Sequence, residues 1–285
     1  MNAKQIDRLV TVVLWGAGVI IIGVLTVFLG YILFKGVPVL SGHFIFGQSS
    51  DTSAGSGVGA QLFNTFYILF LSLIVSTPIA IGAGIYLAEY SARGRLADMI
   101  RLSVECLASV PSIVLGLFGM IIFINLMGFG ISLGVGAMTL ALMNLPIIVR
   151  VTEESLKTVP REYREASLAL GATKWQTIAR VVLPAAMPGI VTGITLTAGR
   201  AVGETAILIF TAGTTASRMI PDFSLSAGGE TLAVHMWYVM AIGLVPDRID
   251  IANGTGALLI IVILMFNLVL ASSSRYFRKW MTGVS

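Results

Sequence analysis

Charge is scarce in this chain. Asp, Glu, Lys and Arg together make up 11% of its 285 residues, against roughly 25% in soluble domains, which excludes a globule surrounded by water. Cysteine is scarcer still: Cys106 alone cannot form an internal disulfide, and no Cys/His cluster has the spacing of metal ligands. The two histidines, His43 and His235, read as interfacial or packing residues. No G-x-x-x-x-G-K-[ST] run occurs, so nothing here could cradle ATP phosphates. Nor can a Ser/His/Asp set or a pair of catalytic carboxylates be assembled, and no enzymatic activity of the chain's own is expected.

Apolar residues, in contrast, make up 56% of the chain and fall in long runs. Residues 9–34 carry no charge; at 1.5 Å per residue they reach ~39 Å, more than the ~30 Å hydrocarbon core of a bilayer. A cleaved signal peptide has an apolar region of only ~7–15 residues, so this run reads as an uncleaved first span. Further runs cover 63–87, 104–127, 131–149, 185–210 and 256–271. Backbone amides in lipid must be bonded within their own segment. The pattern therefore predicts an all-α integral membrane protein with six transmembrane helices and both termini on one side.

The basic residues orient it. In this layout fourteen of the eighteen, from Lys4 and Arg8 to Arg275, Arg278 and Lys279, fall on one side; only Lys35, Arg218 and Arg248 fall on the other, and Arg200 lies within a span. That bias places both termini in the cytoplasm and explains the net charge of +4 without invoking nucleic acid. The run 230–246 is apolar but short and is expected to be an external or partly inserted helix. The stretch 41–61 reads as a polar, Gly/Ser-rich external linker. Asp222, Glu230, Asp247, Asp250, Arg218 and Arg248 form an external mixed-charge face, either a dock for a soluble partner or a solvated surface. Glu105, Ser109, Asn125, Asn144 and Asn267 read as interhelical hydrogen-bond partners. Pro78, Pro111 and Pro146 are either kink points or ordinary helix-end residues.

The cytoplasmic segment 152–184 is unlike the rest: "TEESLKTVPREYREASLALGATKWQTIARVVLP". Thr158-Val159-Pro160 announces a helix, Gly171 ends it after about two and a half turns, and Lys174–Val182 follows as a second short amphipathic piece with Trp175, Ile178 and Val182 on one face. Such a helix–Gly–helix knob is too short to be stable alone, so something must pack on it. Its pattern is Glu165-Ala166-Ser167, three residues, Gly171, nine residues, Val181, one residue, Leu183-Pro184. This resembles the EAA loop of ABC-importer permeases, EAA-x3-G-x9-I-x-L-P, departing from it only by Ser at 167 and Val at 181.

Together with "PIAIGAGIYLAEYS" (78–91), "VPSIVLGLFG" (110–119) and "RAVGETA" (200–206), the chain is similar to the phosphate-specific ABC-importer permease family, PstA type. The sister PstC type and permeases for other oxyanions share several of these blocks. The resemblance implies a type-1, MetI-like permease domain over 59–275, preceded by a first helix and external loop (1–58) and followed by a cytoplasmic tail (276–285). It implies residence in the inner membrane of a prokaryote and cytoplasmic coupling helices that dock on an ATPase through Glu165, Ala166, Ser167, Gly171, Leu183 and Pro184. The implied partners are a homologous permease in a heterodimer, two ATPase copies that bind ATP and Mg, an extracytoplasmic phosphate-binding protein, inorganic phosphate and lipid; the chain itself holds no cofactor. A proton-coupled secondary carrier is the alternative of a different class, and it would have no use for an EAA loop.

Arg200 and Glu204 fall on the fifth predicted span, four residues apart and hence on one helical face. From Pro188 they lie ~18 Å and ~24 Å along it, between the middle and the outer edge of the membrane. Each formal charge costs at least ~2.5–3.5 kcal/mol at the bilayer centre. Either they form a structural ion pair holding two permease subunits together, or they form a transient anion site. In the second reading Arg200 offers planar bidentate donors, Glu204 neutralises it when the pathway is empty, and Glu204 also accepts the proton of hydrogen phosphate, which sulfate lacks. Gly189, Gly193, Gly199 and Gly203 allow close approach of helices or substrate.

Overall fold

A computed structural model describes residues 3–49, 55–90, 94–215, 221–243 and 245–282, with the backbone alone for Ile6, Ala271 and 273–282. Arg93, Arg218 and the last three tail residues lie outside the described residues. Regular structure among the described residues is helical throughout. Five helices are long and apolar enough to cross a membrane: α1 (Ala3–Gly36), α3 (Gly59–Ile85), α6 (Leu133–Thr158), α9 (Leu183–Val202) and α12 (Arg248–Thr282). A bent pair, α4 (Arg95–Ser109) and α5 (Ser112–Gly119) with the helical turn that extends it to Leu126, meets at 106° and makes a sixth where the pair is counted as one span. The short α2 (Gly42–Phe46) lies between α1 and α3.

The helices face inside out relative to a soluble protein. Along α3, Asn64, Thr65, Ser72 and Ser76 are buried while Phe70, Ile74 and Ile79 are exposed. Of the described side chains of α1 only Gly36 is buried, so its apolar surface is left for lipid, as expected of a spanning helix. The polar interior is bonded across helices: Asn144 Nδ2 on α6 donates to Ser72 Oγ on α3 at 3.3 Å. Such a bond in a membrane bundle is worth ~0.6 kcal/mol. Asn144 thus does what the sequence suggested, whereas Ser109 bonds the Cys106 carbonyl within its own helix.

Glycines bring the bundle together on α6. A Cβ at Gly84 of α3 would stand 2.6 Å from Thr152; one at Gly119 of α5 would strike Thr139; on α9, Gly189 and Gly193 lie against Ser155 and Val151. Three helices thus approach α6 at distances no larger side chain allows, the small-residue mode of membrane packing. Pro78 and Pro146 lie inside continuous helices.

Two predicted spans are corrected. The run 104–127 is not one helix, because Pro111 removes an amide and holds Val110 extended (φ −71°, ψ 128°). Residues 95–109 turn aside as an amphipathic helix, and α5 with its π-helical extension Met120–Leu126 runs on from the bend. The run 185–210 also breaks: α9 ends at Val202, Gly203-Glu204-Thr205 are non-helical, and α10 (Ala206–Thr211) restarts. Glycine at 203 offers no side chain to hold the helix together there.

The described parts of the linker, 41–49 and 55–61, carry defined structure. Phe44 of α2 is buried with Val58, Leu232, Val239 and Ile251. Gly57 N donates to the Gln48 carbonyl (2.9 Å) and Gly59 N to that of Gly47 (3.1 Å). A Cβ at Gly57 would stand 2.5 Å from the Gly47 backbone, which gives these glycines a steric purpose. The short run near 230–246 forms α11 (Leu232–Ala241), ten residues that pack on this cluster and are too short to cross.

We expect Gly193→Val, which drives a branched side chain into Val151, to destabilise the detergent-solubilised protein by about 1–3 kcal/mol. Gly82→Ala, where no atom lies within 4 Å of the new Cβ, is the control. A thermal melt of both variants checks it, and equal midpoints would contradict the packing argument.

Candidate functional site

The knob begins where α6 ends. Pro160 caps α7 (Arg161–Ala169), which stops in a Schellman turn: Gly171 N donates to Leu168 O (2.9 Å) and Ala172 N to Ser167 O (3.3 Å). Gly171 has φ +83°, a left-handed backbone that a Cβ disfavours. Thr173 and Gln176 then form a capping box for α8 (Lys174–Thr177). A π-helical segment, Ile178–Val182, joins it to α9, with Leu183-Pro184 opening that helix.

The base of the knob is buried. Ile178 and Val182 pack with Ile85, Leu156, Val159, Ala186 and Ile190, and Ser167 Oγ lies 2.9 Å from Thr177 Oγ1, tying its two halves. The crown is bare. No residue of α7 is buried, Leu170 is 89% exposed, and Tyr163, Leu168 and Trp175 are exposed with it. Trp175 therefore does not share the buried face of Ile178 and Val182; it stands beside Tyr86 and Tyr90 over a shallow cleft. Glu165 and Ala166 are exposed on the same short helix.

Beside the knob, α4 and α6 enclose a cleft of about 720 Å³ lined by Arg101, Glu105, Arg150, Glu153, Glu154 and Lys157, among others. Glu153 is its hub, accepting from Lys157 Nζ (2.6 Å) and Arg101 Nη2 (3.0 Å). Arg150 pairs with Glu154 (3.1 Å). Glu105 is exposed on α4 rather than set in a span.

Arg200 and Glu204 are not brought together. Arg200 occupies the last turn of α9, exposed, and no hydrogen bond or ion pair engages its side chain among the described residues. Glu204 lies past the helix end, where its Oε1 accepts from Ile207 N (3.4 Å) in the first turn of α10. Glu204 N bonds the Ala201 carbonyl (3.2 Å) in the turn that follows α9, and no ion pair joins its side chain to Arg200. Gly199 abuts Asn267 of α12, so Arg200 stands beside the α9–α12 contact.

At the opposite end from the knob the structure reveals a buried polar cluster. Glu230, expected on a charged surface, is fully buried. Its Oε1 accepts from Gln61 Nε2 (2.8 Å) and lies 2.7 Å from His235 Nδ1. Asp247, half-buried, accepts from Gly55 N at 2.9 Å. Sequence offered no signal for this set, because its members are 169 and 174 residues apart. His235 is a packing residue as expected, and His43 is exposed.

Comparison with known proteins follows the same outline. Residues 80–283 match the family model described as binding-protein-dependent transport system inner membrane component. A probable ABC transporter permease protein, YqgI of Bacillus subtilis, is 43% identical over 278 residues, covering 94% of this chain and 95% of its own. Phosphate transport system permease protein PstA 1 of Mycobacterium tuberculosis is 36% identical over 231 residues, 81% of this chain and 74% of its own. A solved bacterial ABC transporter involved in import of the acidic polysaccharide alginate superposes with a TM-score of 0.69 at 17% identity, over 96% of this chain and 98% of that one, a likeness of fold.

We expect Gly171→Val to strain the turn that ends α7 by about 1–2 kcal/mol, a factor of ~5–30 in local opening. Hydrogen exchange at the amides of 171 and 172 should accelerate accordingly, with the transmembrane amides unaffected. Unchanged exchange would show that the left-handed glycine does not hold the knob.

Proposed function

Because the chain belongs to the family of binding-protein-dependent transport system inner membrane components, and is thus a permease subunit of an ABC importer, we propose that its cargo is inorganic phosphate. The observation that carries this reading is Arg200, a cation on an otherwise apolar helix with no partner among the described residues. A charge of that cost is retained where something anionic meets it. Guanidinium presents a planar fork that fits a phosphate and stays charged at any working pH. The Mycobacterium relative named for phosphate transport supports the same cargo.

In this scheme Arg200 receives the anion transiently. Glu204, displaced beyond the helix break, is free to meet the cargo instead of neutralising Arg200, and its carboxylate takes a hydrogen bond from the proton of hydrogen phosphate. Sulfate brings no such proton and is repelled. Weak binding suits the task, since a pathway must release what it admits.

The motor is a pair of ATPase subunits, which hold ATP and Mg. One seats on the bare crown of this knob, through Leu168, Leu170, Tyr163 and Trp175 around Glu165, Ala166, Ser167 and Gly171. Leu183 and Pro184 pass the motion into α9. A homologous PstC-type permease completes the pathway, and an extracytoplasmic phosphate-binding protein delivers cargo to the end opposite the knob. The knob and both termini are cytoplasmic, in the inner membrane of a prokaryote.

Reconstitution of the full complex in proteoliposomes tests this, with labelled phosphate outside and ATP inside. Arg200→Gln should leave the complex assembled and reduce uptake by about tenfold or more, the loss expected when a charge-assisted site is removed. Undiminished uptake would reject the anion site. Glu204→Gln should let sulfate compete with phosphate where the wild type excludes it. Leu170→Asp should weaken copurification of the ATPase by about thirtyfold, the scale of an interface hot spot.

A further inference from the structure

The knob is fastened to a helix with which it has no direct chain connection. Helix α3 ends in the π-helical segment Tyr86–Tyr90, and there Glu89 meets Arg164 of α7. Arg164 Nη2 lies 2.5 Å and Nε 3.1 Å from Glu89 Oε1. The same guanidinium donates from Nη1 to the Val159 carbonyl and from Nη2 to the Leu156 carbonyl, each at 2.8 Å. It thereby satisfies the Val159 carbonyl just past α6 and adds a second donor to that of Leu156, which also accepts from Val159 N (3.3 Å). The two side chains are 21% and 9% exposed, so the pair is shielded from water and its geometry is defined. Lys174 Nζ stands 4.5 Å from the centre of the Tyr90 ring, so both halves of the knob hold the same five residues of α3.

The chain connections around the knob are softer. Val159-Pro160 is non-helical, and Ile178–Val182 is a π-helical segment, a geometry common at functional sites. Helix α3, with Pro78 inside it and the π-helical turn Tyr86–Tyr90 at the clamp, is one continuous helix to the opposite end, ~42 Å from Glu89 to Gln61 at 1.5 Å per residue. There Gln61 donates to Glu230, Asn64 Nδ2 to the Glu230 carbonyl (3.1 Å), and Leu232 N to Thr65 Oγ1 (3.0 Å).

We propose that the Arg164–Glu89 pair clamps the knob to α3 and makes that helix the rod that carries movement of α7 across the membrane to the segment 230–241. This rests on the permease reading and adds positioning residues to it. The rod joins the face that meets the motor to the face on the opposite side through one contiguous bonded path. Its lateral contacts, Ser72 with Asn144 and Gly84 with Thr152, keep α3 in the bundle when the clamp is cut, so a neutral variant still folds.

The test uses the reconstituted complex with phosphate and ATP. Glu89→Gln and Arg164→Gln should assemble and hydrolyse ATP while phosphate imported per ATP falls about fivefold or more; the double variant should lose no more than either single one. A wild-type ratio in Glu89→Gln, or losses that multiply in the double variant, would overturn the clamp. If Arg164→Gln does not assemble, Arg164→Lys, which keeps the charge but not the fork, should give an intermediate ratio, and a wild-type ratio there would also overturn it. A second readout needs no cargo: nitroxides at Ile79→Cys and Glu162→Cys in a Cys106→Ser background. Their separation should stay narrow and constant on ATP addition, and broaden in Glu89→Gln. Broadening without the mutation, or none with it, would sink the proposal. If the wild type imports no phosphate, the cargo reading fails while the nitroxide distances still decide the clamp.

Discussion

Close approach to α6 is the constraint on which the architecture depends. Gly84, Gly119, Gly189 and Gly193 bring three helices against Thr152, Thr139, Ser155 and Val151 of that one helix. In lipid no hydrophobic force drives helices together, so contact has to come from small residues and shared hydrogen bonds. The helix that the other three grip is also the one that leads, through the non-helical Val159-Pro160, to the knob.

Polar groups are placed by that packing in two distinct ways. Those in the seam, such as Asn144 and Ser72, are satisfied by each other and hold register. Ionic groups gather toward the helix ends: Glu153 with Arg101 and Lys157, Glu89 with Arg164, and Glu230 with Gln61 and His235. Arg200, in the last turn of α9, has no counter-charge among the described residues. An uncompensated charge among apolar neighbours needs an anion or a partner subunit to complete it.

Chain breaks shape the site as much as side chains do. Pro111 turns α4 aside from α5 and so forms one wall of the cleft beside the knob. Gly203 ends α9 one residue before Glu204, which leaves that carboxylate in the turn beyond the helix. Gly171 closes α7 in a left-handed turn, which leaves Leu170 standing out of the protein. Each break sits at a residue whose backbone chemistry differs from the rest.

The sequence by itself determined the membrane class, the five to six long apolar helices and the helix–Gly–helix knob. These follow from local properties: run length against bilayer thickness, the periodicity of apolar residues, and the special backbones of glycine and proline. Helix ends were less legible, since 104–127 and 185–210 are apolar throughout and hydropathy does not sense a bend. Tertiary structure alone decided that Glu230 is buried against Gln61, that Asp247 meets Gly55, and that Arg164 reaches Glu89. Those outcomes depend on residues 75 to 192 positions distant, and a contact at that range is set by how helices pack, which no local pattern encodes.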